Sequence, residues 1–195
     1  MPEPIVLGRP LVVLIGAPGA GKTRVGKRIG RILAVPFIDT DRRIVKAHGA
    51  IADIFSEHGE AYFRELERAE VERAMTERAV LALGGGAVLN PETQRDVADL
   101  PVVLMTVTAE AVAARIGEKR PLLKGAGIGA WQKLVDDRRE IYERLATRSW
   151  DSSVRPIDQI AAEVADWVRG LHPTLVFAPV PPAALVPTHE LGASQ

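Results

Sequence analysis

The chain of 195 residues has no cysteine. Disulfides, thiolate zinc sites and cysteine nucleophiles are therefore excluded. It has no net charge, with 25 basic and 25 acidic residues. That removes any broad electrostatic reason to expect nucleic acid or an anionic membrane as partner. No apolar run approaches the roughly 20 residues of a membrane helix. The histidines at 48, 58, 172 and 189 are scattered without metal-ligand spacing. Residues 1–10 carry Glu3 and three prolines but no basic segment leading into a long apolar one. They do not read as a signal peptide, and the expectation is a soluble, cytoplasmic protein. No internal repeat is visible, and no N-K-x-D guanine-reading motif is present.

What the chain does have is Gly16-Ala17-Pro18-Gly19-Ala20-Gly21-Lys22-Thr23, a match to the phosphate-binding pattern G-x-x-x-x-G-K-[ST]. The apolar run Leu11–Ile15 precedes it and reads as a buried parallel strand. Val25, Ile29, Ile32 and Leu33 follow at helical spacing. Strand, glycine loop and helix are the context the motif requires. Gly16, Gly19 and Gly21 let successive N–H groups turn inward on an anion. The helix start adds the positive end of its dipole. Lys22 can reach β- and γ-phosphates, and the Thr23 hydroxyl can ligate Mg²⁺. These residues predict a bound nucleoside triphosphate.

The remaining elements alternate as in an α/β domain. The pattern predicts strands at 36–39, 80–83, 102–107 and near 150–153. It predicts helices over 40–58 (interrupted at Gly49), 60–78, 91–100, 109–116, 130–148 and from 157 to about 168. Residues 117–127 are glycine-rich and basic, and read as a mobile loop. From His172 onward the five prolines and the lack of helical period mark a flexible tail. The expected organisation is a short extension over 1–10, one domain over 11–170 and a tail over 171–195.

Two further segments should open on the same edge as the phosphate loop, because ligands in an open parallel sheet bind at the carboxyl ends of strands. Asp39-Thr40-Asp41 follows the second strand. Its carboxylates can serve Mg²⁺ and an acceptor hydroxyl, or simply cap a helix. Gly84-Gly85-Gly86 follows the third. Its amides can meet a substrate or phosphoryl group, or the run is only a tight turn.

Together these residues resemble the shikimate kinase family. The resemblance is carried by the loop at 16–23, Asp39-Thr40-Asp41 and Phe63-Arg64-Glu65-Leu66-Glu67. It continues through Gly84-Gly85-Gly86-Ala87, Arg120-Pro121-Leu122-Leu123, and Arg138 four residues before Tyr142. The resemblance implies a three-layer α/β/α fold around a central five-stranded parallel sheet, with substrate-binding helices over about 40–78 and a mobile lid over about 115–127. It implies Mg²⁺-dependent phosphorylation of the shikimate 3-hydroxyl by ATP, in the chorismate pathway to aromatic amino acids, by a cytoplasmic monomer.

By the same resemblance Gly19, Ala20, Gly21, Lys22 and Thr23 bind ATP, while Thr23 and Asp39 support Mg²⁺. Asp41 contacts the shikimate hydroxyls as base or orienter. Arg64 and Arg138 grip the carboxylate, and Gly84, Gly85 and Gly86 line the substrate. Arg120 approaches the γ-phosphate, and Arg115 and Arg155 lie by the adenine. Arginine forks suit a carboxylate, and Glu67, at i+3 from Arg64, can hold that side chain in place. Two other readings share the phosphate loop: a gluconate kinase-like or other small-molecule kinase, and a nucleotide-binding regulator without catalysis.

Overall fold

The computed structural model describes residues 8–116 and 127–174. The chain runs β1 (Val12–Ile15), α1 (Lys22–Leu33), β2 (Phe37–Asp39), α2 (Thr40–His48) and α3 (Ile51–Ala74). It continues with β3 (Val80–Ala82), a 3-10 turn (Ala87–Leu89), α4 (Pro91–Val97), β4 (Val102–Thr106) and α5 (Ala109–Ile116). It ends with α6 (Gly127–Leu145), β5 (Arg148–Asp151) and α7 (Ile157–Leu171).

The five strands form one sheet in the order β2-β3-β1-β4-β5, and every pairing is parallel. Strand pleating sends alternate side chains to opposite faces. Val12 and Leu14 therefore join a core with Val25, Ile29 and Leu33 of α1 and Ile160, Val164 and Val168 of α7. Val13 and Ile15 join a second core with Val71 of α3, Val97 of α4 and Tyr142 of α6. Both faces are covered, which is why β1, β3 and β4 at the centre of the sheet are apolar runs, whereas the edge strand β5 (Arg148–Asp151) is mostly exposed. Each buried Val, Leu or Ile contributes about 1.5–3 kcal/mol. A small separate cluster of Ile44, Ile54 and Phe63 fixes α2 against α3.

The elements follow the sequence pattern, with shifted boundaries. The third helix begins at Ile51, and the backbone at Gly59 is non-helical (φ 82°, ψ 173°), so a kink divides the span where the break between 58 and 60 is expected. Gly49 does end α2. The last strand starts at Arg148, two residues before the predicted one, and α6 ends at Leu145 instead of running on to 148. The Ala87–Leu89 turn carries no periodic signal of its own. The expected lid is described only at its ends, residues 115–116 and 127, and the tail only as far as residue 174. No helix among the described residues is long and apolar enough to cross a membrane.

This topology determines where chemistry can occur. All five strands point the same way, so the segments after β1, β2 and β3 emerge on one edge. The connection from β3 to β4 crosses β1, which places the loop after β1 at the switch point.

Candidate active site

The loop after β1 has Gly16, Gly19 and Gly21 at φ of 133°, 88° and 88°, a region that favours glycine. A Cβ on Gly16 would also lie 2.3 Å from the Met105 carbonyl oxygen. Gly21 caps α1 without any side-chain hydrogen bond, and the first turn has no acidic residue. The helix start is thus built to face an anion. Lys22 Nζ donates to the carbonyls of Gly16 (2.5 Å) and Ala17 (3.1 Å), lying back along the loop.

Asp39 caps a helix and also reaches the phosphate loop. Its Oδ1 accepts the Arg42 N–H at 3.2 Å and caps α2. Its Oδ2 accepts the Thr23 hydroxyl at 2.6 Å, joining the second strand to the phosphate loop. Thr40 is buried, and its hydroxyl accepts the Gly84 N–H at 3.0 Å. That bond ties the start of α2 to the glycine triplet.

The triplet is glycine for lack of space. A Cβ on Gly84 would fall 2.3 Å from Asp41 Oδ1 and 2.8 Å from Glu67 Oε1. One on Gly86 would fall 2.3 Å from Arg64 Nη1. Asp41, Glu67 and Arg64 thus converge on this turn from α2 and α3. Arg64 donates to Glu67 at 2.6 Å and to Glu60 at 2.9 Å. The Glu67 side chain is only 5% exposed.

Burial raises the pKa of Asp41; Lys22 and Arg64 pull it down, and the Asp39 charge adds to the rise. Burial also raises Glu67, against the hydrogen bond from Arg64, with Asp41 adding to the rise. Burial opposes the Arg64 charge, but hydrogen bonds to Glu67 and Glu60 outweigh it, and its pKa is raised. A carboxylate held short of full hydration between two cations suits proton acceptance.

From α6, Arg138 donates to the Gly85 carbonyl at 2.9 Å, and the Tyr142 hydroxyl donates to the same oxygen at 2.7 Å. Two donors on one oxygen fix the orientation of the turn.

A cavity of about 390 Å³ lies between these groups. Gly19, Gly21, Lys22, Thr23, Asp39, Asp41, Gly85 and Arg115 line it. Ala20 is buried beneath the loop. Gly84 adjoins Asp41. Arg64 and Gly86 line a neighbouring cavity with Glu67, and Arg138 lines a third beside Leu89. Arg115 also donates to the Ser152 hydroxyl and to the Ser152 and Ser153 carbonyls. Arg155 pairs with Glu163 of α7 and is not among the residues lining the main cavity. Arg120 falls outside the described residues. Glu60, the Tyr142 hydroxyl and Ser152 are contributors that sequence reasoning missed. Glu60 alone had a local signal, its i, i+4 spacing to Arg64.

A parallel α/β sheet with a phosphate loop at its switch point, facing a carboxylate buried between cations, defines a phosphate-loop kinase of small molecules. Comparison with known proteins narrows the class. A family model for shikimate kinase matches residues 18–169. The shikimate kinase of Thermobifida fusca is 42% identical over 161 residues, covering 80% of this chain and 94% of the relative. The solved shikimate kinase from Acinetobacter baumannii, in complex with shikimate, superposes with a TM-score of 0.77 at 27% identity. It covers 87% of this chain and 96% of its own. A gluconokinase from Sinorhizobium meliloti shares the fold alone, with a TM-score of 0.51 at 19% identity over 85% of this chain and 93% of its own. The chain belongs to the shikimate kinase family.

Proposed function

We propose that the chain transfers the γ-phosphoryl group of ATP to the 3-hydroxyl of shikimate, giving shikimate 3-phosphate and ADP. The observation that carries this reading is the placement of Asp41. It lines the same cavity as Lys22 and Thr23, and its carboxylate lies against Gly84 beside Glu67.

Asp41 accepts or orients the proton of the attacking hydroxyl, and its raised pKa favours that role. Gly84, Gly85 and Gly86 pack the acceptor ring, while Arg64 and Arg138 grip its carboxylate as forks. Glu67 and Glu60 hold the Arg64 fork in one orientation. The amides of Gly19, Ala20, Gly21, Lys22 and Thr23 cradle the phosphates. Lys22 and Arg120 offset the charge that spreads over the transferring group. Arg115 and Arg155 contact the adenine, Arg115 from the rim of the cavity.

Thr23 Oγ and Asp39 Oδ2, both hard oxygens and 2.6 Å apart, would hold Mg²⁺. No cluster of three or more potential side-chain ligands exists among the described residues. A site of two protein oxygens suits an ion that keeps waters and takes phosphate oxygens for the rest of its shell. The ion supplies charge neutralisation on the β- and γ-phosphate oxygens.

The protein works as a cytoplasmic monomer, as one domain over 11–170 with a lid over about 115–127. ATP and shikimate are its partners, without nucleic acid or membrane. The test is ADP release with ATP and Mg²⁺ in the presence of shikimate, gluconate or AMP. Shikimate should give the fastest turnover. Faster turnover of gluconate would replace this reading with that of a gluconate kinase, and no turnover of any acceptor would leave a nucleotide-binding regulator.

A further inference from the structure

We infer that Trp131 and Ser152 are positioning residues for the nucleotide, each holding one carbonyl of the phosphate loop outward so that the next N–H points at the anion. Trp131, on α6, is 3% exposed. Its indole N–H donates to the Pro18 carbonyl at 2.8 Å across 113 residues of sequence. Ser152, just after β5, is fully buried, and its hydroxyl lies 3.0 Å from the Ala20 carbonyl. Thr106 O lies 3.1 Å from the same hydroxyl and accepts the Ser152 N–H at 2.9 Å, and Ala20 O is the nearer of the two carbonyls to the hydroxyl. The hydroxyl proton can therefore go to Ala20 O, while its lone pair accepts from Arg115 Nη1 at 3.1 Å.

In a planar trans peptide the C=O and the following N–H point in opposite directions. Anchoring Pro18 O on one side aims Gly19 N–H to the other. Anchoring Ala20 O does the same for Gly21 N–H. Pro18, Gly19 and Gly21 line the main cavity, whereas Trp131 and Ser152 do not. The anchors therefore sit behind the loop and the amides in front of it. Glycine at 19 and 21, both at φ 88°, leaves these peptides free to rotate, so an external restraint has something to restrain. Trp131 is also packed against Ala17 and Val112, and its ring borders a second cavity of about 390 Å³ between β4, α5 and α6. The indole is held from several sides and makes a rigid donor.

This inference rests on the loop binding the nucleotide of the proposed reaction. The test uses Trp131→Phe and Ser152→Ala in the full chain, measuring ADP affinity by calorimetry, KM for ATP and for shikimate, and thermal stability. Each substitution should weaken ADP binding and raise KM for ATP by about fivefold, with KM for shikimate changed less than twofold. Should Trp131→Phe fail to fold, Ser152→Ala, which removes a single oxygen, carries the test. Unchanged ADP affinity in the folded variants, or equal weakening of ADP and shikimate, overturns the inference. A wild-type protein that binds no ADP would instead overturn the functional reading beneath it.

Discussion

The proposed donor wall of the cavity comes from consecutive residues, 16 to 23, running from the end of β1 into the first turn of α1. The proposed acceptor wall comes from separate segments: Asp41 on α2 and Gly85 of the triplet after β3 line the same cavity, Arg64 and Glu67 on α3 and Arg138 on α6 line adjoining ones, and Tyr142 on α6 holds the triplet from behind. The donor wall works with backbone geometry, and positive φ at three glycines is its main requirement. The acceptor wall works with side-chain charge in a confined space. Its glycines matter because Asp41, Glu67 and Arg64 occupy the places their Cβ atoms would take. The difference teaches that the two walls should fail separately. Damage to acceptor side chains should spare nucleotide binding.

The largest separation is expected from Asp41→Asn. Turnover should fall by about 10²–10⁴-fold, while ADP affinity measured by calorimetry stays within twofold. A matching loss of ADP affinity would move Asp41 to the donor side. The same variant should be more stable than wild type at neutral pH. The Asp41 carboxyl has its folded pKa raised, chiefly by burial, so the folded protein holds a proton that the unfolded chain has lost. Stability therefore falls as pH rises from the unfolded pKa to the folded one, and the whole penalty is present above the folded pKa. Asparagine carries no such penalty, and a higher Tm at pH 7, converging with wild type toward pH 3, is the outcome to look for. The acid limb of kcat/KM should correspondingly lie above the ordinary aspartate range.

Gly84→Ala should be the next most severe. The added methyl must displace Asp41 or Glu67, and a misplacement of about 1 Å can cost about 10²-fold in rate. ADP affinity is again the control, and a variant with wild-type turnover would show that the triplet is only a turn. Arg155→Ala should have the smallest effect. Arg155 is paired with Glu163 on a partly exposed face, so its loss should cost under about 1 kcal/mol of stability. Loss of the proposed adenine contact should raise KM for ATP by about twofold to threefold, and an unchanged KM would remove Arg155 from the adenine side.

The comparison also explains what could be read in advance. The phosphate loop was legible because its residues are contiguous and their flanking strand and helix carry strong periods. Strands β1, β3 and β4 were legible as apolar runs. Residues of the acceptor wall were named through resemblance, and of their contacts the Arg64–Glu67 pair was legible from its i, i+3 spacing. Nothing local in Tyr142 or Ser152 says that one meets Gly85 and the other Ala20; tertiary packing alone brings them there. Asp39 was ambiguous between cap and metal support because both uses select the same residue type at the same position. Boundaries moved at element ends, as at Leu145 and Arg148, while the interruption at Gly59 fell where its glycine placed it.

The most direct test of separable walls is calorimetry on Arg64→Ala with shikimate and with ADP. Arg64 lies on α3, away from the loop, and is held by Glu67 and Glu60. Loss of a charged hydrogen-bonding fork should weaken shikimate binding by about 10- to 100-fold and leave ADP binding within twofold of wild type. Shikimate binding that survives intact, or ADP binding that falls in step with it, would contradict the account.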